Sequence, residues 1–192
     1  MARSSDAKAA IFQSALSEFA QHGLSGARTA TIAKRAGVNK QLLYYYFGSK
    51  SQLYDSVVRT VLDGFAARQR ARLTSEHPPE RLRERLQSAF AHLGNHQHEA
   101  HLILAAMSAS GSDRASAQAV ADELALSFAN EISAGQGLGH FRDDVDPNLA
   151  AHHALALVLG FFITQDAASV ASHHGNQWVR SVGDLLLRAL SW

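Results

Sequence analysis

Asn39, Lys40 and Gln41 stand in a row directly ahead of Leu42-Leu43-Tyr44-Tyr45-Tyr46-Phe47. Side chains of these types do one kind of chemistry well: they hydrogen-bond to the edges of nucleic-acid bases. A lysine donates to guanine, and the amides of asparagine and glutamine offer a donor beside an acceptor to adenine. The tyrosines that follow combine a flat apolar body, suited to a groove wall, with a hydroxyl for a phosphate oxygen or base edge. Tyr44 and Tyr45 are expected to brace the element against DNA, and one of the three tyrosines to be largely buried. Lys50, after Ser49, places a cation where the first turn of a helix leaves backbone N–H groups free, which suits a phosphate. Thr29 and Thr31 supply hydroxyls for the same purpose on the other side of the run.

Other chemistries find less support. The chain has no cysteine, which removes disulfides, thiolate metal sites and cysteine nucleophiles. No glycine-rich phosphate loop or nucleophile motif occurs, and the acids fall in caps and loops such as residues 143–146, so an enzyme is not expected. His92 and His96 are four apart, with His98 and His101 following. Two imidazoles on one helical face can hold zinc or nickel. However, His96 and His98 fall in a polar interruption, Glu99 is the only acid nearby, and no further ligand spacing is recognisable. Neither a metal nor a cofactor is expected.

The elements that must position these groups read as helices nearly throughout, because there are only three prolines in 192 residues and no alternating pattern of strand length. The fold class is all-α, with about nine helices and no sheet. The first helix runs from Asp6 to about His22 and stops at Gly23. A two-turn helix with Ile32, Ala33 and Ala36 inward closes at Gly37, and Asn39 caps a short helix to about Phe47. Two short helices across a glycine-containing turn form a helix-turn-helix. Ile32, Ala33, Ala36, Val38, Leu43 and Phe47 pack it on the first helix. A long helix capped by Ser49 then runs to about Leu73, with Arg68, Arg70 and Arg72 near its end, before Pro78 and Pro79 break the chain. The expected division is a head at 1–50, the long linking helix at 50–74, and a helical body at 75–192.

In the body a helix spans Glu80 to about Leu93, followed by the polar NHQHE run and an apolar segment at about 100–108. After the SASGSD break a helix from Asp113 to about Ser133 ends at the GQGLG run. Asp146 caps a helix with Pro147 at its first position, extending to about Ser172, and Trp178 to Leu190 form the last. Net charge divides with this organisation. Residues 1–75 hold 11 basic and 4 acidic residues, a net of +7, whereas residues 76–192 hold 7 basic and 13 acidic, a net of −6. A basic head on an acidic body is the electrostatic footprint of a nucleic-acid binder. The N-terminal MARSSDAKAAIFQ lacks the apolar core of a secretory signal, and the apolar run at 155–163 is well short of a membrane span, so a cytoplasmic protein is expected.

The stretch from Phe19 through Leu53 resembles the N-terminal DNA-binding domain of TetR-family (TetR/AcrR-like) transcriptional regulators. The residues that carry the likeness are the apolar first helix, Ile32-Ala33 with Ala36-Gly37-Val38, Leu43-Tyr44 with Phe47, and Ser49-Lys50 ahead of Leu53. It covers roughly the first 60 residues. The resemblance implies a homodimer, a three-helix head on double-stranded operator DNA, a helical body with a small-molecule pocket, and dimerisation through the last two long helices. The family pattern has threonine as cap of the second helix where this chain has Arg28, which implies a cap shifted to Thr29 and a phosphate contact from Arg28. Where Leu42 stands, many members carry a small or hydroxyl residue, so a phosphate contact there is lost.

Two further expectations concern the body. A pocket for an unknown effector, apolar or aromatic, is expected among Phe90, His101, Leu102, Met107, Phe128 and Phe162. A dimer interface is expected at Leu155, Leu159, Gly160, Trp178, Val182, Leu185 and Leu186. These positions leave the segment from Leu149 apolar on nearly every side and give the last helix a heptad-like seam. The function read from this sequence is a ligand-responsive transcriptional regulator, most often a repressor, binding a palindromic operator as a homodimer and released by its effector. The alternative is an all-helical binding protein whose basic head contacts another protein.

Overall fold

The computed structural model describes residues 2–69, 73–107, 114–164 and 173–191. Among these residues there are nine helices and no strand. They are α1 (Ala2–Gly26), α2 (Thr29–Arg35), α3 (Lys40–Phe47), α4 (Lys50–Gln69), α5 (Pro78–Asn95), α6 (Gln97–Met107), α7 (Arg114–Gly137), α8 (Pro147–Thr164) and α9 (His173–Leu190). The expected basic end of the long helix at Arg70 and Arg72, the SASGSD break and residues 165–172 lie outside the described residues.

Local chemistry sets the boundaries. Gly23 adopts φ 62°, and the chain turns there before one last helical turn to Gly26. α2 closes with Gly37 at φ 67°: the Gly37 N–H donates to the Lys34 carbonyl (3.2 Å) and the Val38 N–H to the Ala33 carbonyl (3.0 Å). This is a Schellman closure, and Val38 tucks against the core behind it. Asn39 caps α3, its side chain accepting the Leu42 N–H at 2.8 Å, and Ser49 Oγ accepts the Gln52 N–H at 3.1 Å to start α4. Asp146 caps α8 in the same way, and prolines open α5 and α8, where a missing N–H costs nothing.

The head packs α1, α2 and α3 around Ile11, Phe19, Ile32, Leu43 and Phe47, all buried. α4 leaves it with Leu53, Val57, Val61, Leu62 and Phe65 on its buried face and packs in turn on α1, α5, α6 and α7. α1 also packs on α6, so the head rests on the body through two helices. In the body α7 pairs with α8 and α5, while α9 packs on α5 and α8. Glu131 of α7, only 3% exposed, receives Arg81 and Arg85 of α5: Arg81 Nε reaches Oε2 at 2.7 Å and Arg85 Nη2 reaches Oε1 at 2.7 Å. Burial opposes its ionisation, but the two guanidinium groups outweigh that and hold the carboxyl below the usual carboxylate range.

Three expected boundaries are sharpened. The interruption in the polar NHQHE run narrows to His96 alone, because α5 continues through Asn95 and α6 already starts at Gln97, with the His96 N–H turned to the Leu93 carbonyl at 3.3 Å. α7 does not stop at Ser133 but continues through Gly137. The glycine at 135 serves packing, since a Cβ there would collide with the buried Phe141 ring. The first helix breaks at Gly23 as expected, where φ 62° and ψ −178° are non-helical, and a separate turn follows to Gly26.

Candidate nucleic-acid interface

α3 divides its side chains cleanly. Leu43 and Phe47 are buried and Tyr46 packs partly against the core, whereas Lys40, Gln41, Tyr44 and Tyr45 share the outer face at helical spacing. Tyr45 is 81% exposed and Tyr44 41%. An aromatic side chain that open is unusual on a surface with no partner, and here two adjoin a lysine and a glutamine. The chain therefore presents flat apolar area, hydroxyls, one cation and one amide on a single short helix.

Neighbouring elements extend that face. The Thr29 and Tyr44 hydroxyls lie 3.1 Å apart, tying the start of α2 to the middle of α3 at the surface. Arg28, Lys34 and Arg35 are exposed and Thr31 half-exposed. The inner side of α2 is held by Glu18, a carboxylate on the buried face of α1: its Oε1 accepts the Arg28 N–H at 3.1 Å and its Oε2 lies 3.3 Å from Arg35 Nη1. Glu18 is missing from the sequence reading. Its only signal is an acid on the same helical stripe as Ile11 and Ala15, where an apolar residue would otherwise stand.

Three of the expected site residues do other work in this structure. Arg28 is itself the N-cap of α2, its side chain makes no cap bond, and Thr29 is the first helical residue, so the cap does not pass to Thr29. Asn39 commits one lone pair of its side-chain oxygen to the Leu42 N–H, and a bidentate contact to adenine would have to share that oxygen with the cap. Lys50 donates Nζ to the Ser25 carbonyl (3.2 Å) and the Ala27 carbonyl (3.1 Å), fastening the start of α4 to the end of α1. It orients the head from behind, with one ammonium proton beyond these two bonds.

In the body the expected residues scatter. Leu102, Phe128 and Phe162 are packed in the core, Met107 lies against it, and His101 is on the surface. Phe90 is mostly buried but borders a cleft of about 360 Å³ between α5 and α9, whose other walls include Gln87, Asn95, Asn176 and Arg180. That lining is more polar than the apolar pocket expected from sequence. His92 is buried, its Nε2 2.9 Å from Glu99 Oε2, and among the described residues no three His, Cys, Asp or Glu side chains gather as a metal site. Of the expected interface positions, Leu155, Leu159, Val182 and Leu186 are buried within the chain's own core, on two helices that pack on α5 and on each other. Trp178 and Leu185 are exposed and Gly160 is half-exposed. The outward stripes are Leu149, His153, Ala156 and Gly160 on α8, and Trp178, Ser181, Leu185 and Ala189 on α9. Both are short-sided or apolar and belong to helices that pack on each other.

Residues 11–57 match the sequence model of the family described as bacterial regulatory proteins, tetR family. Over 51 residues the chain is 53% identical to the HTH-type transcriptional repressor SCO4008 of Streptomyces coelicolor, an alignment that spans only 27% of either chain. It is 27% identical to the HTH-type transcriptional repressor NicS of Pseudomonas putida over 94% of this chain and 90% of that one. The crystal structure of the transcriptional regulator FadR from Bacillus subtilis in complex with stearoyl-CoA shares the fold, with a TM-score of 0.75 at 18% identity over 95% of this chain and 99% of the other. These relatives are transcription regulators rather than enzymes, and no helix among the described residues is long and apolar enough to cross a membrane. The helix-turn-helix head, with its exposed Lys-Gln-Tyr-Tyr face, thus matches the TetR family of bacterial regulatory proteins over residues 11–57, and the all-helical body behind it shares the fold of solved transcriptional regulators.

Proposed function

We propose that the chain is a ligand-responsive repressor that binds a palindromic operator as a homodimer and leaves it when an effector enters the body. The observation that carries this reading is the outer face of α3: Lys40, Gln41, Tyr44 and Tyr45 project from a +7 region, with Asn39 fixing the helix that holds them. Lys40 and Gln41 read base edges. Thr29, Thr31, Arg28 and Tyr44 contact phosphates on the flanking strand, and Tyr45 packs on the groove wall.

The outward stripes of α8 and α9 support the dimer. Leu185 is 59% exposed and Trp178 38%, and both lie beside small residues that let a second helix pair approach. Two such chains present two copies of α3, which must enter major grooves about 34–36 Å apart. An effector that favours a wider separation forfeits one half-site, and its differential affinity sets the response.

Selection of bound duplexes from a random DNA pool tests this. A two-fold symmetric consensus with half-sites about one helical turn apart is expected, with affinity that falls steeply as salt rises. An unselected pool, or equal affinity of wild type and Lys40→Ala for every duplex, would reject it.

A further inference from the structure

The far end of α4 holds a polar group that the fold leaves unserved. Gln69, the last residue of α4, is 2% exposed, yet neither Nε2 nor Oε1 of its side chain has a hydrogen-bond partner. It borders a cleft of about 280 Å³ shared with Arg68, Thr74, Glu84, Arg85 and Ser88. The charged neighbours are engaged. Glu84 accepts the Thr74 N–H at 2.9 Å, the Thr74 hydroxyl at 2.5 Å and the Ser75 N–H at 3.2 Å. Arg85 gives Nε and Nη2 to Glu131, and Arg68 gives Nη1 to the Gly64 carbonyl at 3.2 Å. Among the buried side-chain atoms of the cleft, the unmet capacity is thus a neutral amide, one donor group beside one acceptor.

A buried amide without partners destabilises a fold, and leucine would fill the same volume without that cost. We propose that Gln69 is the recognition group for the effector, and that the effector presents an N–H beside a carbonyl: a carboxamide, lactam or ureide edge. Such an edge pairs with both glutamine atoms at once. A carboxylate satisfies Nε2 and leaves Oε1 bare, and a hydrocarbon satisfies neither. This deepens the ligand-responsive reading above and rests on it.

The position explains how occupancy reaches the head. The amide atoms are closed to solvent, so a ligand pairs with them only when the side chain turns into the cleft, and the last turn of α4 repacks with it. The other end of the same helix is fastened to the head by Lys50 on the Ser25 and Ala27 carbonyls. A change at residue 69 is therefore a change in the support of α3, and a ligand that binds one α4 setting better shifts the balance.

Calorimetric titration of the full chain and of Gln69→Leu decides the matter, with two lactams (valerolactam and carbostyril), a carboxylate of the bicyclic outline (naphthoate) and naphthalene as probes. Wild type is expected to bind at least one lactam, and Gln69→Leu to bind it about tenfold more weakly. The leucine variant without ligand should melt no lower than wild type, because an orphaned amide has been removed. The proposal is overturned if neither lactam binds wild type, if both proteins bind alike, if naphthoate or naphthalene binds more tightly than carbostyril, or if the free leucine variant melts lower. Operator affinity measured on the same ligand-free samples separates the two readings. DNA binding that survives without lactam recognition sinks this inference alone, and lactam recognition without DNA binding sinks the regulator reading alone.

Discussion

Head and body use polar side chains in opposite ways. In the head the groups offered for chemistry point outward, the caps and closure of their helices are local (Asn39 to Leu42, Ser49 to Gln52, and Gly37 to Lys34), and Glu18 and Lys50 anchor them from behind. In the body the polar contacts join distant segments: Arg81 and Arg85 point inward to the buried Glu131, and Arg83 reaches Asp184 at 2.7 Å on the surface. A recognition surface must stay solvated until DNA arrives, whereas a body that changes shape needs its helices locked in defined registers. The contrast teaches that a polar residue's worth here depends on what its bonds hold, and each region can be tested separately.

The largest effect is expected where the body is locked. Glu131→Ala leaves two guanidinium groups facing a buried site without their carboxylate, and should cost about 3–5 kcal/mol in urea unfolding. Because the folded protein holds this carboxyl below its ordinary range, the stabilisation is complete at neutral pH and is lost as pH falls through the folded value. The gap between wild type and Glu131→Gln should accordingly narrow on acidification. A gap that is constant with pH would show that Glu131 acts by packing alone.

In the head, truncation should change affinity while leaving stability alone. Tyr45→Ala removes a side chain that is 81% exposed, so its melting temperature should match wild type while operator affinity falls by about 1–3 kcal/mol, read by fluorescence anisotropy. A destabilised variant with unchanged affinity would reverse the comparison and make Tyr45 structural.

How far sequence reasoning reached follows the same division. The helix-turn-helix was legible because its determinants are short-range: a glycine closure, an asparagine cap and apolar residues at helical spacing all fall within 32–47. The outward face of α3 followed from the same spacing. In the body, the helices were visible but their partners were not. Leu155, Leu159, Val182 and Leu186 read as interface because the pattern of a helix buried on several sides does not say whether α5, α7 or a second chain does the burying. Gln69, Glu18 and Glu131 were invisible for the same reason. Their importance lies in partners, or an absence of partners, at separations that no local pattern encodes. Lys50 was placed on the correct element but assigned to phosphate, since its two carbonyl acceptors come from the end of α1, 23 and 25 residues away.

A smaller effect belongs to the turn between α2 and α3. Gly37 sits at φ 67° with open space around it, so Gly37→Ala meets no neighbour and carries only the backbone penalty of a left-handed residue, about 1–2 kcal/mol. Because that closure sets the angle between the two short helices, operator affinity should fall with stability. An alanine variant of native stability and affinity would mean that α3 is held by its core contacts alone.

The finest test falls on Asn39, where capping and base reading compete for one amide. Asn39→Ala removes the bond to the Leu42 N–H and should destabilise the protein by about 1 kcal/mol. Asn39→Ser retains a cap but cannot offer a donor beside an acceptor to adenine. If the residue only organises the start of α3, the serine variant should keep wild-type stability within a few tenths of a kcal/mol and bind the selected operator as wild type does. If it also reads a base, the serine variant should be stable and lose affinity chiefly for duplexes with adenine at one position of each half-site. The geometry favours the first result. The oxygen that a bidentate contact needs already accepts the cap at 2.8 Å, and the cap fixes its direction, so turning the amide toward a base would loosen the same helix turn that carries Lys40 and Gln41.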